Sequence, residues 1–506
     1  MSIIRVLLIL IPLALLIGCE HDNKEKYIDF IKVSDKSYIG ISEIQDSLDV
    51  PWDIQYNEGS NSIFFTEIKG SIFELDLKTN TKNLIYRVPN VFHKRTMGLL
   101  GLAIHPNFRN KPYLYACYTT EEEGKYYSEL VKLKLEKRKV VQSDVLLRIP
   151  GALGHNGSRL TFDLEGYLYW ATGDALSLTD SQDSTTLNGK ILRMKDDGSI
   201  PKDNPLTNSY VYAWGFRNIQ GLTVTSNGKI MASEHGDAIE DEVNYIQPLH
   251  NYGWREIEGY HDKPHEIEIA RRRNMTEPIK AWTPVIAPAG MKYYRNSLLP
   301  EWDNSLLLVT LKTQSFRVLK LNEEQTNIID EKVYLKDYYG RIRSVTSDKK
   351  GNIYIATSNR DWNPQKGFPK HNDDRILKLS VIDFKPDNFM SAEEDIIENK
   401  SNGKVLYKSY CASCHKDDGM GVRKYFPPLV QTATVESKNK FLEVVLKGLK
   451  GPIEVNGDVY DQEMPSFSFL SNSEITAISN YIRTGLGNNY SVIDTVDVNK
   501  MRMKIN

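Results

Sequence analysis

Cysteine is scarce in this sequence, which contains four among its 506 residues. Cys117, in the apolar stretch YLYACYTT, has no evident partner and is predicted to be a buried strand residue. The other three fall in two recognisable motifs, one at Cys19 and one at Cys411 and Cys414. We therefore predict no disulfide bond and assign each remaining thiol to a covalent attachment described below.

An excess of basic charge is also absent. The formal net charge is −2, which provides no electrostatic footprint for nucleic acid. The chain is 40% hydrophobic and 26% charged, a composition typical of globular proteins. We therefore exclude nucleic acid as a partner and expect well-packed domains.

A long hydrophobic run is missing as well, since the N-terminal run in MSIIRVLLILIPLALLIGCE is short for a membrane span. Arg5 before it and small residues after it are typical of a secretory signal. The tetrapeptide Leu16-Ile17-Gly18-Cys19 resembles the lipobox of bacterial lipoproteins, in which the cysteine is acylated. We predict a periplasmic protein anchored to a membrane by lipid on Cys19; a cleaved signal with a chance cysteine is the alternative.

One pattern recurs over residues 41–383: a short apolar strand, a turn rich in Asn, Asp or Gly, a second strand, and then a strand of alternating polarity. Turn residues between period-two segments favour antiparallel hairpins. Six copies occur, spaced irregularly near fifty residues, which is typical of propeller blades with long insertions. The copies begin at PWDIQYN, GLAIHP, RLTFDL, GLTVTS, LLPEWDN and SVTSDKK. They predict an all-β, six-bladed β-propeller.

The pattern becomes helical after residue 400. SNSEITAISNYIRTGLG has a capping box from Ser471 to Glu474, an apolar face and Gly485 as its stop signal. Upstream, CASCH is the C-x-x-C-H signature of covalent haem attachment. Cys411 and Cys414 would bond the porphyrin, and His415 would be the proximal iron ligand. A small all-α domain with one covalent haem c, of the class I cytochrome c type, is predicted.

The sixth ligand of that haem iron is predicted to be Met464. No histidine follows His415, and the region offers Met420 and Met464 as thioethers. Met420 is too close in sequence to His415 to reach the opposite face of the ring. A thioether ligand raises the reduction potential, which suits an electron acceptor. Met464 as a core residue without a ligand role is the alternative.

These motifs and composition shifts divide the chain into six segments. They are a lipoprotein signal peptide (1–19), a charged tether (20–40), the propeller (41–383), an acidic linker (384–400), the cytochrome c domain (401–488) and a C-terminal tail (489–506).

One of the ten histidines stands out as a candidate base. His155 lies in GALGHNGSRLTFDLEGYLYWATGD at the mouth of a blade, and Asp174 ends the hairpin that follows. The two strands could bring Asp174 beside the imidazole and orient it. Most other histidines lack convergent partners in the sequence and are interpreted as structural.

At this point the propeller resembles a known family, the soluble glucose and sorbosone dehydrogenases that use pyrroloquinoline quinone (PQQ), together with their aldose dehydrogenase relatives. The matching stretches are GLLGLAIHP, GHNGSRL…GD, AWGFRNIQGL, SEHGDAIEDEVN, TLKTQSF and GRIRSV, in that order. They lie within residues 45–380, on five of the six predicted blades.

The resemblance implies specific roles at the matching positions. His155 would take the proton of the anomeric hydroxyl, Asp174 would hold His155, and Arg217 would stabilise charge at the quinone oxygen. The other implied cofactor contacts are Asn218, Gln220, Lys312, Arg341 and Arg343 for PQQ, the carbonyls of Gly236 and Asp237 for calcium, and Asp241 as a brace of that loop.

These residue types suit the implied cofactors. PQQ has three carboxylates, which arginine forks bind in matching geometry. Calcium prefers hard oxygen ligands such as carbonyls and polarises a carbonyl as a Lewis acid. The sequence departs from the family at Gly154, where some relatives have Asp, and at Thr96, where Gln or Glu is common. The insert 259–284 is a candidate wall of the pocket.

The sequence therefore predicts a PQQ- and calcium-dependent aldose dehydrogenase that forms an aldonolactone and passes electrons to its own haem c. A downstream cytochrome or oxidase would be the next acceptor. Two alternatives stay open: a calcium-dependent propeller that hydrolyses lactones or esters, and a non-catalytic propeller that docks the cytochrome.

Overall fold

The structure is a computed structural model that describes residues 25–393 and 402–505. The predicted signal peptide with Cys19, the start of the tether and residues 394–400 of the predicted linker lie outside the described residues. Within the described ranges, no helix is long and apolar enough to cross a membrane.

The first region is the predicted six-bladed propeller. Five blades consist of four consecutive strands each, paired antiparallel. They are blade 1 (β3 Pro51–Asn57, β4 Ser62–Glu67, β5 Ser71–Asp76, β6 Thr81–Arg87), blade 2 (β7 Leu99–Ile104, β8 Tyr113–Glu122, β9 Lys125–Glu136, β10 Lys139–Pro150), blade 3 (β11 Arg159–Phe162, β12 Leu168–Ala171, β13 Lys190–Met194, β14 Val211–Trp214), blade 4 (β15 Ile219–Val224, β16 Ile230–Glu234, β17 Asp241–Ile246, β18 Lys280–Trp282) and blade 5 (β19 Pro288–Tyr294, β20 Ser305–Thr310, β21 Phe316–Leu321, β22 Ile328–Tyr334).

Blade 6 closes the ring with strands from both ends of the propeller. Its order is β23 (Ile342–Ser347), β24 (Ile353–Thr357), β25 (Ile376–Ile382), β2 (Tyr38–Gln45), β1 (Asp29–Lys32) and β26 (Met390–Ser391). β2 pairs antiparallel with β25. A strand from the N-terminal part of the propeller thus completes the blade that β23, β24 and β25 begin.

Two of the predicted boundaries are therefore wrong. Residues 29–32 and 38–40 of the predicted tether are strands, because the apolar residues among their charges are buried: Ile31 is 0% and Ile39 1% exposed. In the predicted linker, Met390 pairs in parallel with Ile31. Both segments pair at the edge of blade 6 that β25 would otherwise leave open. Local composition contains no signal for such a pairing between distant segments.

The core lies between the blades. Among the described residues, each of the six blade–blade boundaries contains an apolar cluster. In β4, Ile63 and Phe65 pack towards blade 6, while Phe64 packs towards blade 2. Because successive side chains of a strand point to opposite faces, each middle strand feeds two clusters and holds its neighbours together. The first strands of all six blades pack side by side around the axis.

The fifth repeat is displaced from its predicted position. Its inner strand is β19, whereas the predicted first strand, residues 298–302, forms a turn. Gly290 in β19 comes so close to blade 6 that a Cβ would lie 2.8 Å from the Cα of Ser344. This close approach requires a small residue at Gly290, and small residues in β19 weaken the apolar pattern that would mark it as a strand in the sequence. Cys117 is fully buried in β8, as predicted.

The C-terminal domain is mainly helical. One helix belongs to the propeller insert, α1 (Pro264–Arg273); the others are α2 (Gly403–Tyr410), α3 (Ala412–His415), α4 (Ala433–Glu436), α5 (Lys438–Lys447), α6 (Asn472–Thr484) and α7 (Thr495–Ile505), with a hairpin of β27 (Ile453–Val455) and β28 (Asp458–Tyr460).

Helices α2 and α6 cross closely because Gly403 has no side chain, and a Cβ there would lie 2.2 Å from the carbonyl of Ala477. The capping box of α6 is present as predicted. The predicted tail is wrong, because α7 packs on α5 and α6 with Val498 and Met501 buried. Their spacing of three residues places both on one helix face.

We expect Ile41→Ala in β2 to destabilise the propeller, because it leaves a cavity at the closure of the ring. Loss of such a buried side chain costs about 2–5 kcal/mol. The midpoint of urea unfolding, followed by tryptophan fluorescence, should fall. Val381→Ala in neighbouring β25 is the control, since Val381 is 36% exposed. Equal midpoints for the two variants would contradict a closing role for β2.

Candidate active site

A cavity of about 600 Å³ lies at one end of the propeller axis, between the blades and the C-terminal domain. It brings together nearly all residues predicted for the site. They are His155, Arg217, Asn218, Gln220, Gly236, Asp237, Asp241, Lys312, Arg341, Arg343, Cys411, Cys414, His415 and Met464. Asp174, which does not line the cavity, lies behind His155.

His155 and Asp174 form the predicted pair. Nδ1 of His155 is 2.9 Å from Oδ1 of Asp174, and Nε1 of Trp254 donates to the other carboxylate oxygen at 2.7 Å. Burial raises the pKa of Asp174, but the hydrogen bonds from His155 and Trp254 outweigh it, so that the pKa lies below 3.8. The ionised carboxylate can only accept, so Nδ1 carries a proton and Nε2 keeps its lone pair.

Burial, followed by the charge of Arg217, lowers the pKa of His155 below 6.5, and Asp174 opposes this in part. The imidazole is therefore neutral at neutral pH and available as a base.

Two glycines shape the loop that presents His155. A Cβ on Gly173 would lie 1.9 Å from the carbonyl oxygen of His155. Gly157 has a φ of +58°, and a Cβ there would lie 2.5 Å from the carbonyl carbon of Thr172. These close approaches explain why GHNG and the GD at Asp174 occur together in the sequence. Side chains at either glycine would push His155 away from Asp174.

A second wall of the cavity consists of buried cations. Arg341 and Arg343 both bind the buried carboxylate of Asp361, with Arg341 at 3.3 Å. Burial raises the pKa of Asp361, but the two arginines outweigh it and hold the carboxyl ionised. One negative charge thus faces two positive ones. Among the described residues, Nε of Arg341 has no acceptor.

Arg217 and Lys312 add further positive charge to the cavity lining. Nη2 of Arg217 lies 2.8 Å from Oδ1 of Asp237, and its Nε lacks an acceptor within the described parts of the chain. Burial lowers the pKa of Lys312, and Asp241 opposes this. Buried N–H groups without partners are costly, so this donor set fits an anionic ligand such as PQQ.

The amides of the cavity floor are pre-ordered. Nε2 of Gln220 donates to Oδ1 of Asn218 at 3.2 Å, and the same oxygen accepts from the backbone N–H of Gly157 at 3.2 Å. Both amides are buried. This network links the GFRNIQG segment to the loop of His155.

The loop of Gly236 and Asp237 offers hard oxygens. Asp241 braces it, accepting from the N–H of Gly236 at 2.9 Å and from two N–H groups that enter blade 5. No N–H of the described residues donates to the carbonyls of Gly236 or Asp237. Burial and the charge of Asp237 raise the pKa of Glu258 to about 8.

A cation at this loop would offset the repulsion between the Asp237 and Glu258 carboxylates. The carbonyl and carboxylate oxygens here are of the kind that calcium prefers. In the described ranges, no group of three or more His, Cys, Asp or Glu side chains is arranged to hold a metal, so carbonyls and ligand oxygens would have to contribute.

Sequence reasoning missed three residues at this site. Asp361 balances the arginines, and Trp254 holds Asp174. His235 also lines the cavity, donating to the carbonyl of Pro288 at 2.8 Å. Burial and Arg217 lower its pKa to about 3, so it is neutral. The motif SEHGD contained His235, but the spacing of Asp361 and Trp254 from their partners gave no signal.

The structure also shows where the two departures from the family pattern and the insert lie. Gly154 and Thr96 line the cavity, and Oγ1 of Thr96 donates to the carbonyl of Leu153 at 3.2 Å. No residue of the insert 259–284, which the structure describes in full, lines the cavity. The prediction of that insert as a pocket wall is therefore wrong, because the C-terminal domain covers this side.

The haem motif opens onto the same cavity. His415 is 8% exposed, and its Nδ1 is 2.9 Å from the carbonyl oxygen of Pro427, to which it donates. Met464 pairs through both backbone groups with Leu449 at 2.9 Å. Gly448 permits this pairing, since a Cβ there would lie 2.3 Å from the carbonyl oxygen of Met464.

Lys312 connects the two halves of the site electrostatically. Burial raises the pKa of the Cys411 and Cys414 thiols, and the Lys312 ammonium opposes this in both. The thiols that would attach haem are therefore close to a cation of the propeller wall.

A small set of contacts joins the two domains. Lys416 donates to Asn363 and to the carbonyl of Pro364, and Nδ2 of Asn363 donates to the carbonyl of Ser413 at 3.1 Å. The ring of Trp362 lies 5.7 Å from that of Phe426. The haem crevice thus faces the propeller cavity directly.

Comparison with known proteins identifies both regions. Residues 48–363 match the family described as Glucose / Sorbosone dehydrogenase, and residues 401–485 match Cytochrome c. The chain is 26% identical over 395 residues to Quinoprotein glucose dehydrogenase B of Acinetobacter calcoaceticus, covering 60% of this chain and 82% of that protein. It is 26% identical over 351 residues to Aldose sugar dehydrogenase YliI of Escherichia coli (strain K12), covering 66% and 94%.

A solved structure agrees. The PQQ-bound form of Aldose Sugar Dehydrogenase from Streptomyces coelicolor is similar with a TM-score of 0.60 and 29% identity, covering 69% of this chain and all of that one. Fold and cavity thus define a propeller oxidoreductase fused to a c-type cytochrome. The chain belongs to the glucose/sorbosone dehydrogenase family.

We expect Met464→Ala to change the haem absorption spectrum and to lower the haem reduction potential, because a thioether ligand stabilises ferrous iron. Spectroscopy and potentiometry of the purified haem protein test this. Met420→Ala is the control, since Met420 is 57% exposed. If Met464→Ala keeps the parent spectrum, Met464 is not an iron ligand.

Proposed function

We propose that the protein oxidises the anomeric hydroxyl of an aldose to the aldonolactone, with PQQ as hydride acceptor, and passes the electrons to its covalent haem c. One observation supports this above all. The His155–Asp174 pair, the four cations and the haem motif line or border one cavity. A hydrolase or a docking module has no use for this combination.

His155 acts as the base in this proposal. Its neutral imidazole takes the proton of the anomeric hydroxyl at Nε2, while Nδ1 stays bonded to Asp174. The imidazolium that forms is stabilised by the ionised carboxylate. When PQQ is bound, it supplies the two-electron acceptor for the hydrogen on C1.

The cations bind and orient that cofactor. Arg341, Arg343 and Lys312 pair with its carboxylates, with Asp361 fixing both guanidinium groups beforehand. Arg217 would stabilise the negative charge that develops on the quinone oxygen, because fixed donors stabilise such charge without reorganisation. Asn218 and Gln220 add amide contacts. A neutral pocket would leave three carboxylates desolvated without compensation.

Calcium would bind the carbonyls of Gly236 and Asp237, near the carboxylate of Glu258. Its chemistry at this position is that of a Lewis acid. Asp241 fixes the loop through three backbone hydrogen bonds, so that the carbonyls hold their positions without the ion.

Haem c would be attached at Cys411 and Cys414, with His415 and Met464 as its iron ligands, and would act as a one-electron acceptor. A cytochrome or oxidase would receive the electrons next. We also propose that the protein is exported to the periplasm and anchored through lipid on Cys19, on the basis of its N-terminal sequence.

The proposal is tested by following the haem band while aldoses are added to the purified protein, with and without PQQ and calcium. We expect haem reduction only when both are present. Lactone hydrolysis without them would support the hydrolase, and no reaction would support a docking module.

We expect His155→Ala to lower the rate of haem reduction by sugar at least about 100-fold, the usual contribution of a general base. The haem spectrum and PQQ binding should not change. His371→Ala is the control, because His371 is exposed and lies outside the cavity. A parent rate in His155→Ala would rule out this base.

The pH dependence follows from the lowered pKa of His155. The base is lost only when His155 is protonated, so the acid limb of kcat/KM should lie below pH 6.5. Since Asp174 raises this pKa, Asp174→Asn should lower the rate and move the limb to still lower pH. A limb that moves upward in this variant would contradict the assignment.

A further inference from the structure

Part of the cavity wall comes from the cytochrome c domain rather than from the propeller. The segment 461–463, between β28 and Met464, lines the cavity together with Gly154 and His155. The propeller insert 259–284 does not reach this side. Part of the lining of the cavity that contains the base is therefore built from the appended domain.

Arg95 places this segment on one flank of His155. Nη2 of Arg95 donates to Oε1 of Gln462 across the domain boundary. The next residue, Thr96, donates to the carbonyl of Leu153, two positions before His155. Gln462 is thus connected through two short links to the loop that presents the base.

Arg255 places the segment on the other flank. Its Nη2 lies 4.0 Å from Oε1 of Glu463. The preceding residue, Trp254, donates to Asp174, the partner of His155. Gln462 and Glu463, the latter also paired with Lys450 at 2.7 Å, therefore contact two propeller segments whose neighbouring residues bond to the loop of His155 and to Asp174.

The chemistry of this wall suits a polyhydroxylated ligand. Arg95 is half-buried overall, and its buried Nε has no acceptor among the described residues. Gln462 contributes an amide and Glu463 a carboxylate. Neutral hydroxyls can both donate to and accept from such groups, which gives geometric selectivity.

We propose that the cytochrome c domain completes the sugar pocket. Gln462 and Glu463, with Arg95, contact the end of the aldose that projects away from His155 and so determine which aldoses fit. This inference rests on the proposed function and deepens it. Met464 follows this segment directly, so the wall of the sugar pocket and the proposed iron ligand are consecutive in the chain.

The test uses the full-length protein loaded with PQQ and calcium, with Gln462→Ala and Gln462→Glu as variants. A soluble dye serves as electron acceptor, so that haem reduction is not required, and glucose and maltose are the probes. We expect the KM for glucose to rise roughly three- to tenfold in both variants with kcat little changed, as for a lost ground-state contact. In Gln462→Ala the shortened wall should also raise the maltose-to-glucose ratio of kcat/KM.

Gln462→Glu separates sugar contact from domain docking, because it keeps an acceptor for Arg95 but removes the amide donor. Glu454→Ala, at an exposed position outside the cavity in the hairpin that precedes this segment, is the matched control. Parent values of KM and of the sugar ratio in both Gln462 variants would overturn the inference. Failure of the parent protein to oxidise glucose, maltose or any other aldose would instead refute the proposed function, before any variant is compared.

Discussion

The site in this structure depends on the stabilisation of arginine side chains that are buried away from water. Arg341 and Arg343 are buried beside a single carboxylate, Asp361, which leaves an excess of positive charge. Burial of an unpaired ion costs several kcal/mol, so a cluster of this kind is stable only with more anions nearby. The free Nε of Arg341, which has no acceptor among the described residues, and the partly balanced Arg217 therefore define the ligand by its charge. An anionic ligand fits this charge, and the tricarboxylate PQQ that the family resemblance implies is such a ligand.

Much of this arrangement can be predicted from the sequence. The repeated hairpins predict the ring because period-two patterns and turn residues are local signals. CASCH predicts haem attachment from five consecutive residues, and the family motifs bring His155, Arg217 and Arg343 to one cavity in the expected order. In each case the information lies within a short stretch of chain, and the ring then brings those stretches together.

The remaining features depend on contacts between distant residues. Ile31 and Ile39 join blade 6 because an edge there is open, and nothing within their own segment reveals that edge. In the sequence, Asp361 is an ordinary acidic residue of a polar loop. Its role is visible only in the fold, where it binds two arginines about twenty positions earlier in the chain. The wall supplied by the cytochrome c domain is of the same kind, since neither domain's sequence indicates which face the other covers.

The closure of the ring has a consequence for how such a protein can arise. β1 and β26 pair with each other, so the chain enters and leaves the propeller at one blade. A gene fusion at either end therefore alters a single sheet edge and leaves the order of the other blades intact. One appended domain could therefore be exchanged for another at this edge without a change to the strand order of the other five blades.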